Sequence, residues 1–397
     1  MKPSAILSIL PAVLALPSPA VERAELAPLL TPHGNADQLI ANKYIVKFKD
    51  GMSTSSVDEA VNALSNKADH VYDLAFRGFA GHMSAEELKT LRNHPDVEYI
   101  EQDAIVTKSE GSREYIQQHN ATWALSRISH RKANSSTYVY HRAAGEGACA
   151  YIIDSGIEET HPEFQGRAKM VHSFVRDQET DGNGHGTHCA GIIGSKTYGV
   201  AKKVKLFGVK VLDDSGTGTY ANVIAGMQLV MLEAPKQKCP RGVVANMSLG
   251  GPKSSAVNAA AAAMVKANIF LSVAAGNGDA DSRGVSPASE PTVCTVGASN
   301  SGDLRSSFSN FGPAVDIFAP GQRVLSTWLS GTTASMSGTS MASPHIAGLA
   351  AYILSVDVFD EPQEICTKIQ KLATANVLKN MREDTVNLLA FNGQPAG

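Results

Sequence analysis

The chain has no excess of either charge. Its 35 Lys and Arg stand against 38 Asp and Glu, a formal net charge of -3, and no stretch gathers basic residues into a block. A nucleic-acid partner is not expected, because such partners demand a basic footprint. Long apolar runs are also missing. Residues 5–16 form a run of about 12, too short to cross a bilayer as a helix. The apolar region 256–275 is broken by Asn258, Lys266 and Asn268, so no membrane partner is expected. Three common catalytic signatures are absent: the Gly-Lys-Ser/Thr phosphate loop, the His-Glu-x-x-His zinc helix and the Gly-x-Ser-x-Gly elbow. Their absence argues against a P-loop enzyme, a zincin and an esterase of the α/β-hydrolase type. Cysteine is scarce, at five residues.

What is present begins with Lys2, the short apolar run and the small residues Ser18-Pro19-Ala20. Residues 1–20 are therefore expected to be a secretory signal, which makes the product extracellular. Outside the cell thiols can oxidise. Cys149, Cys189, Cys239, Cys294 and Cys366 allow two bridges and leave one thiol, and spacing alone does not choose the pairs. Asn-x-Ser/Thr sequons make Asn120, Asn134 and Asn246 glycosylation candidates, although Asn246 lies in a strand-like run.

Residues 21–40 carry several prolines and read as a linker. Next come a strand at 44–48, a helix at 57–67, and strands at 71–76 and 79–83. Ser84-Ala85-Glu86-Glu87 is a capping-box pattern that starts a second helix, and a strand at 97–101 follows. The order β-α-β-β-α-β predicts a small α+β, ferredoxin-like domain over about 43–103. The polar stretch 103–122 reads as an exposed, cleavable connection. Beyond Trp123, apolar strands alternate with helical runs. That pattern predicts an α/β domain with a doubly wound, mostly parallel sheet covered on both faces. Strands are expected at 149–153, 205–212, 243–249, 269–275, 293–298 and 314–318. Helices are expected to start near His185, Tyr220, Ala256, Ser340 and Pro362.

Four residues fall at element ends beside glycine. Asp154 closes the strand Ala150-Tyr151-Ile152-Ile153, and strand C-terminal ends are where parallel sheets place their sites. His185 opens a helix after Asp181-Gly182-Asn183-Gly184, and His188 reads as a structural core histidine. Two histidines alone are too few ligands for a metal. Asn277 follows the small-residue strand ending in Ala275-Gly276, where its NH2 group suits a developing oxyanion. Ser340 sits in Gly338-Thr339-Ser340-Met341-Ala342-Ser343-Pro344, at the positive end of an apolar helix. Taken alone, Asp154 and Asn277 read better as turn residues. Together, in the order Asp, His, Asn, Ser, they supply a hydroxyl with the base it needs.

The motifs Asp154-Ser155-Gly156-Ile157, His185-Gly186-Thr187-His188-Cys189-Ala190-Gly191 and the Ser340 stretch resemble those of the subtilase superfamily. Asn246-Met247-Ser248-Leu249-Gly250-Gly251 and Ser286-Pro287-Ala288-Ser289-Glu290-Pro291 resemble its proteinase K branch, especially the fungal secreted members. The likeness runs over residues 40–395. It implies a secreted serine endopeptidase of broad specificity, favouring apolar or aromatic residues before the scissile bond and made as a self-processing zymogen. Ser340 would attack the carbonyl, His185 would move the proton, and Asp154 would fix the imidazole. Asn277 and the Ser340 backbone N–H would form the oxyanion hole. Ser248, Leu249, Gly250, Ala274, Ala275 and Gly276 would line the primary pocket. Gly216, Thr217 and Gly218 would pair with the peptide as an extra strand.

Phe79-Ala80-Gly81 and Pro95-Asp96-Val97-Glu98-Tyr99-Ile100-Glu101-Gln102-Asp103 are similar to the family's propeptide. Residues 21–115 would then be a chaperone and inhibitor removed by self-cleavage near Ile116, leaving 116–397 as the peptidase domain. The resemblance also implies the bridges Cys149–Cys239 and Cys294–Cys366, with Cys189 free. It implies one Ca²⁺ on Pro291, Val293 and Asp316 and no organic cofactor. The branch's second calcium site is not expected, because Arg131 and Val377 stand at its ligand positions. Expected partners are protein substrates and the chain's own propeptide, with the enzyme a monomer. The alternative is an inactive binding protein on the same fold; such proteins lose one of the four residues, and here all four are present. Ser155 stands where relatives usually carry Thr.

Overall fold

The computed structural model describes residues 25–32, 39–105 and 114–395. The expected signal sequence and residues 106–113 of the cleavable connection lie outside the described residues. The chain divides into two compact units, Met1–Gly111 and Ser112–Gly397.

The first unit contains β1 (Leu29–Leu30), β2 (Leu39–Phe48), α1 (Thr54–Asn62), β3 (His70–Asp73), β4 (Arg77–His82), α2 (Ala85–Asn93) and β5 (Val97–Ala104). Its sheet order is β1-β5-β2-β4-β3. The last four strands give the expected ferredoxin-like arrangement, antiparallel throughout. β1 is an addition: the stretch expected as linker places Leu29 and Leu30 parallel to β5 and buries Ala27. Val46, Phe48, Val57, Phe79, Leu91 and Ile100 form the core. The capping box is present, with Ser84 Oγ accepting from Glu87 N and Glu87 Oε2 accepting from Ser84 N at 2.7 Å. Helix α1 ends at Asn62, not near residue 67. The backbone N–H of Ser65 and its hydroxyl both donate to Glu87 Oε1 at 2.6 Å, which holds residues 63–66 to α2 instead.

The second unit begins with β6 (Tyr115–Gln118), α3 (Trp123–Ser129) and β7 (Tyr138–His141). It continues through β8 (Cys149–Asp154), β9 (Ala168–Ser173), α4 (His185–Gly194), β10 (Lys205–Lys210), α5 (Tyr220–Glu233), β11 (Val243–Met247), β12 (Gly251–Pro252), α6 (Ser255–Lys266) and β13 (Ile269–Ala274). Then come β14 (Val285–Ser286), β15 (Cys294–Ser299), β16 (Ile317–Pro320), the hairpin β17 (Val324–Trp328) and β18 (Thr332–Met336), α7 (Thr339–Leu354), α8 (Pro362–Leu372), β19 (Thr374–Ala375) and β20 (Leu388–Leu389). The main sheet runs β19-β20-β16-β15-β13-β11-β8-β10-β9, parallel except for the β19–β20 pair. All six expected strands are in it.

β8 shows why the sheet is covered on both faces. Ala150 and Ile152 pack into a core with Ile192 of α4 and Ile346 of α7. Tyr151 and Ile153 point the other way, into a core with Val223 of α5 and Met264 of α6. Every residue of β8 is buried. The chain leaves β8 for β9 and β10 on one side, then crosses to β11 on the other. That reversal opens a crevice at the C-terminal end of β8, where Asp154 stands. Two disulfides cross the unit, Cys149–Cys239 and Cys294–Cys366, and Cys189 is free and buried. Among the described residues no helix is long and apolar enough to cross a membrane.

Candidate active site

Asp154 is the last residue of β8 and fully buried. Its Oδ1 accepts from Ser155 N and bonds His185 Nδ1, both at 2.7 Å. His185 is the first residue of α4, and its side chain keeps 17% exposure. Gly186 follows because the Gly156 backbone lies where any Cβ there would be. Burial pushes the His185 imidazolium down. The Asp154 carboxylate, its hydrogen bond and the charge of Asp181 outweigh that, and leave the ring above its ordinary 6.5. A ring with one nitrogen on a buried carboxylate and some exposure left can exchange a proton through the other. His188 does no such work: its Nε2 lies between the Val324 and Ala334 carbonyls at 3.1 and 3.0 Å. Burial holds it down to about 4, so it is a neutral core residue.

Ser340 is the second residue of α7, a helix buried on nearly every side. Pro344 lies four residues on, and a proline has no N–H to return to the Ser340 carbonyl. Ser248 Oγ takes that carbonyl at 2.7 Å, and Cys189 Sγ approaches it at 3.4 Å. Beneath this first turn, Ser343 Oγ donates to Asn246 Oδ1 at 2.7 Å and meets Ser272 Oγ at 2.9 Å. A polar network therefore fixes the helix start. The Ser340 hydroxyl, partly exposed, donates to the Ser248 carbonyl at 3.1 Å. Transfer of its proton to His185 requires the hydroxyl to turn away from that carbonyl.

Asn277 follows β13, and its amide is oriented by its oxygen. Oδ1 accepts from Thr339 N at 2.8 Å and from Thr339 Oγ1 at 2.9 Å, so Nδ2 is left to donate elsewhere. A Cβ on Gly338 would lie 3.5 Å from both Asn277 Nδ2 and Ser340 N. Two donors thus flank one space that glycine leaves open, a shape suited to an oxyanion. Sequence reasoning missed the clamp behind it. Buried Asn310 donates to the Ala275 carbonyl at 2.9 Å and accepts from Gly278 N and Ala280 N, which pins the loop carrying Asn277.

Two cavities adjoin these groups. One, about 310 Å³, is lined by Ser248, Leu249, Gly250, Ala274, Gly276 and Ser340 among others. Ala275 is a correction: it is fully buried on the opposite side, packed with Val315, Phe318 and Leu389, because alternate strand residues face opposite ways. The other cavity, about 500 Å³, adjoins His185, Leu249, Gly216, Thr217 and Gly218. These last three are exposed at a turn closed by Asp213 N on the Thr217 carbonyl at 2.8 Å. Gly216 N donates to the Asp213 carbonyl and Thr217 N to the Asp213 carboxylate, each at 2.9 Å, so much of this backbone is already engaged within the turn.

The residue pattern of the subtilase family matches residues 145–388, a span holding Asp154, His185, Asn277 and Ser340. The chain belongs to the subtilase family. The pattern of the peptidase inhibitor I9 family matches residues 43–109 of the same chain. This subtilase is 56% identical over 390 residues to the cuticle-degrading protease of Metarhizium anisopliae, covering 98% of this chain and 99% of that protein. It is 51% identical over 396 residues to Proteinase R of Parengyodontium album, covering 99% of each. The crystal structure of a cold adapted subtilisin-like serine proteinase superposes with a TM-score of 0.65 at 41% identity, covering 69% of this chain and 98% of that one. The subtilase is a subtilisin-like serine endopeptidase with an N-terminal inhibitor domain.

Of the ligands expected for calcium, Asp316 has the chemistry of a hard-cation ligand. The Asp316 carboxylate accepts from Thr295 N at 2.7 Å, and burial raises it to about 6, which that one hydrogen bond offsets only in part. A half-buried carboxylate short of compensation is what an oxygen-ligated cation would satisfy. At the second position of the subtilase branch, Arg131 stacks on Phe391 at 4.2 Å and reaches the Leu372 and Ala373 carbonyls at 3.3 Å. A guanidinium already serves the end of α8, and Val377 packs in an apolar cluster. Of the sequons, Asn120 and Asn134 are exposed. Asn246 is not a glycan site in this fold: it is fully buried, with its amide bonded to Ser248 and Ser343.

Proposed function

We propose that the chain is the precursor of a secreted serine endopeptidase in which Ser340 is the nucleophile, His185 the general base and acid, and Asp154 the residue that orients it. The observation that carries the reading is the 2.7 Å bond between buried Asp154 and His185, with Ser340 opening α7 beside Asn277. In the reaction, the Ser340 hydroxyl adds to the scissile carbonyl as His185 takes its proton. The tetrahedral oxygen is held by Asn277 Nδ2 and Ser340 N. His185 returns the proton to the leaving amine, and water repeats the sequence to release the acid.

Residues 21–115 are read as the propeptide and 116–397 as the mature enzyme, with self-cleavage near Ile116. The 310 Å³ cavity, walled by Leu249, Ala274 and small residues, supports a preference for apolar or aromatic side chains before the scissile bond. Two disulfides and the N-terminal apolar run support secretion. Extracellular protein, cuticle included, is the substrate class, supported by the relative named for cuticle degradation. One Ca²⁺ on the Pro291 and Val293 carbonyls and Asp316 would brace the loop before β15, and glycans would attach at Asn120 or Asn134. Expression of the full chain as Ser340→Ala tests the reading: it should accumulate at precursor size without cleaving peptides. Normal maturation of that variant in a protease-free host would overturn it.

A further inference from the structure

Five hydrogen bonds converge on a carboxylate outside the triad. Asp181 is 6% exposed. Its Oδ1 accepts from the Ser155 hydroxyl at 2.9 Å, Gly184 N at 2.8 Å and Asn183 N at 3.2 Å. Its Oδ2 accepts from Thr187 N at 2.9 Å and Thr187 Oγ1 at 2.6 Å. All these donors are neutral, so five hydrogen bonds replace the water the carboxylate has lost. Ser155 follows Asp154 in sequence, and its Oγ also accepts from Gly186 N, next to His185, at 2.9 Å. Through one hydroxyl, Asp181 grips both the turn that ends β8 and the turn that begins α4.

The position matters electrostatically. His185 is the first residue of α4, where the positive end of the helix dipole disfavours a cation. Acyl transfer requires the ring to become one. An anion seated on the amides of that same turn offsets the dipole. The ionisable groups facing this region are Asp154 at the end of β8, Asp181 before α4, and His188 and Cys189 within α4. From β10, Lys210 bonds the Ser155 carbonyl and Asp214, each at 2.8 Å. His188 is held neutral and the Cys189 thiol is pushed well up by burial. Lys210 is matched by Asp214. Asp154 and Asp181 remain as the anions that favour a protonated His185.

We propose that Asp181 is a positioning residue of the peptidase site, a second carboxylate that joins the Asp154 and His185 turns and supports the imidazolium formed in the transition state. This rests on His185 being the base. A wild-type chain without Ser340-dependent cleavage would refute that assignment, whereas the outcomes below bear on Asp181 alone.

The test is Asp181→Asn in the full chain, with kcat and KM of the matured enzyme followed across pH on a neutral peptide anilide. Removing the anion favours the neutral ring. The acid limb of kcat/KM should therefore move to lower pH by about half a unit or more. Plateau kcat should fall by about tenfold with KM near wild type. Asp181→Glu, which keeps the charge, should keep the wild-type limb. An unmoved limb with unchanged kcat, or a loss carried by KM alone, would overturn the proposal. If Asp181→Asn does not mature, Ser155→Ala keeps the carboxylate but cuts its link to Gly186. It should lower kcat at constant KM, and unchanged kcat there would overturn the proposal equally.

Discussion

Replacing Thr339 by Val removes one hydroxyl at nearly constant volume and isolates what aims Asn277. Thr339 is fully buried. Its Oγ1 donates to Asn277 Oδ1 at 2.9 Å and accepts from Gly276 N at 3.1 Å, while Thr339 N gives Oδ1 its other bond at 2.8 Å. In Thr339→Val the amide oxygen keeps one donor of two, and Gly276 N loses its acceptor. A buried polar group left unpaired costs about 1–3 kcal/mol, so stability should fall by about 2 kcal/mol. Full loss of an oxyanion-hole donor costs about 10²–10³ in turnover, and a half-held amide should lose about tenfold. The loss should fall on kcat, since the pocket walls at Leu249, Gly250 and Ala274 are untouched. The assay is kcat and KM on a peptide anilide, beside the inhibition constant of a peptide aldehyde that forms a tetrahedral adduct. Aldehyde binding should weaken by the same factor as kcat/KM. Reduced stability with unchanged kcat and aldehyde affinity would refute the claim that Thr339 orients the donor.

Other consequences can be measured independently. Opening the Cys149–Cys239 bridge, which spans 90 residues, as Cys149→Ala with Cys239→Ala should cost about 4–5 kcal/mol of loop-closure entropy, read as a lower midpoint in denaturant. His188 and His345 are buried and held down to about 4, against an ordinary 6.5. Below 6.5 the unfolded chain binds more protons than the folded one, so stability should fall as pH drops toward 4. The loss is up to about 3 kcal/mol per ring, visible in melts at stepped pH. Chelation should lower the melting temperature reversibly with one Ca²⁺ per chain, and Asp316→Asn should remove that response. A second calcium in a metal assay would contradict the reading of Arg131.

Much of the architecture was legible because the second unit's strands are buried on both faces and read as plain apolar runs. The four site residues were legible because each stands at an element end beside glycine. The misses have physical causes. β9 is half exposed, with Lys169 and His172 interrupting its pattern, and β1 is two residues long. The α1 boundary failed because Glu87, far along the chain, captures Ser65. Ala275 was assigned to the pocket with its neighbours by the resemblance, which does not say which way a side chain points. Asn246 looked like a sequon because only the fold shows its amide bound beneath α7. Asp181 was visible only as part of the loop before His185, and Asn310 carried no pattern at all. Their importance lies in bonds across the chain, from Ser155 to Asp181 and between Asn310 and residues 275–280, which exist only in the folded state.

The central claim is that Ser340 is a nucleophile activated by His185. A fluorophosphonate probe followed by peptide mapping tests it most directly. The account predicts one modified residue, Ser340, with labelling abolished in His185→Ala. A chain that cleaves peptides while Ser340 stays unlabelled, or that labels equally without His185, would contradict it.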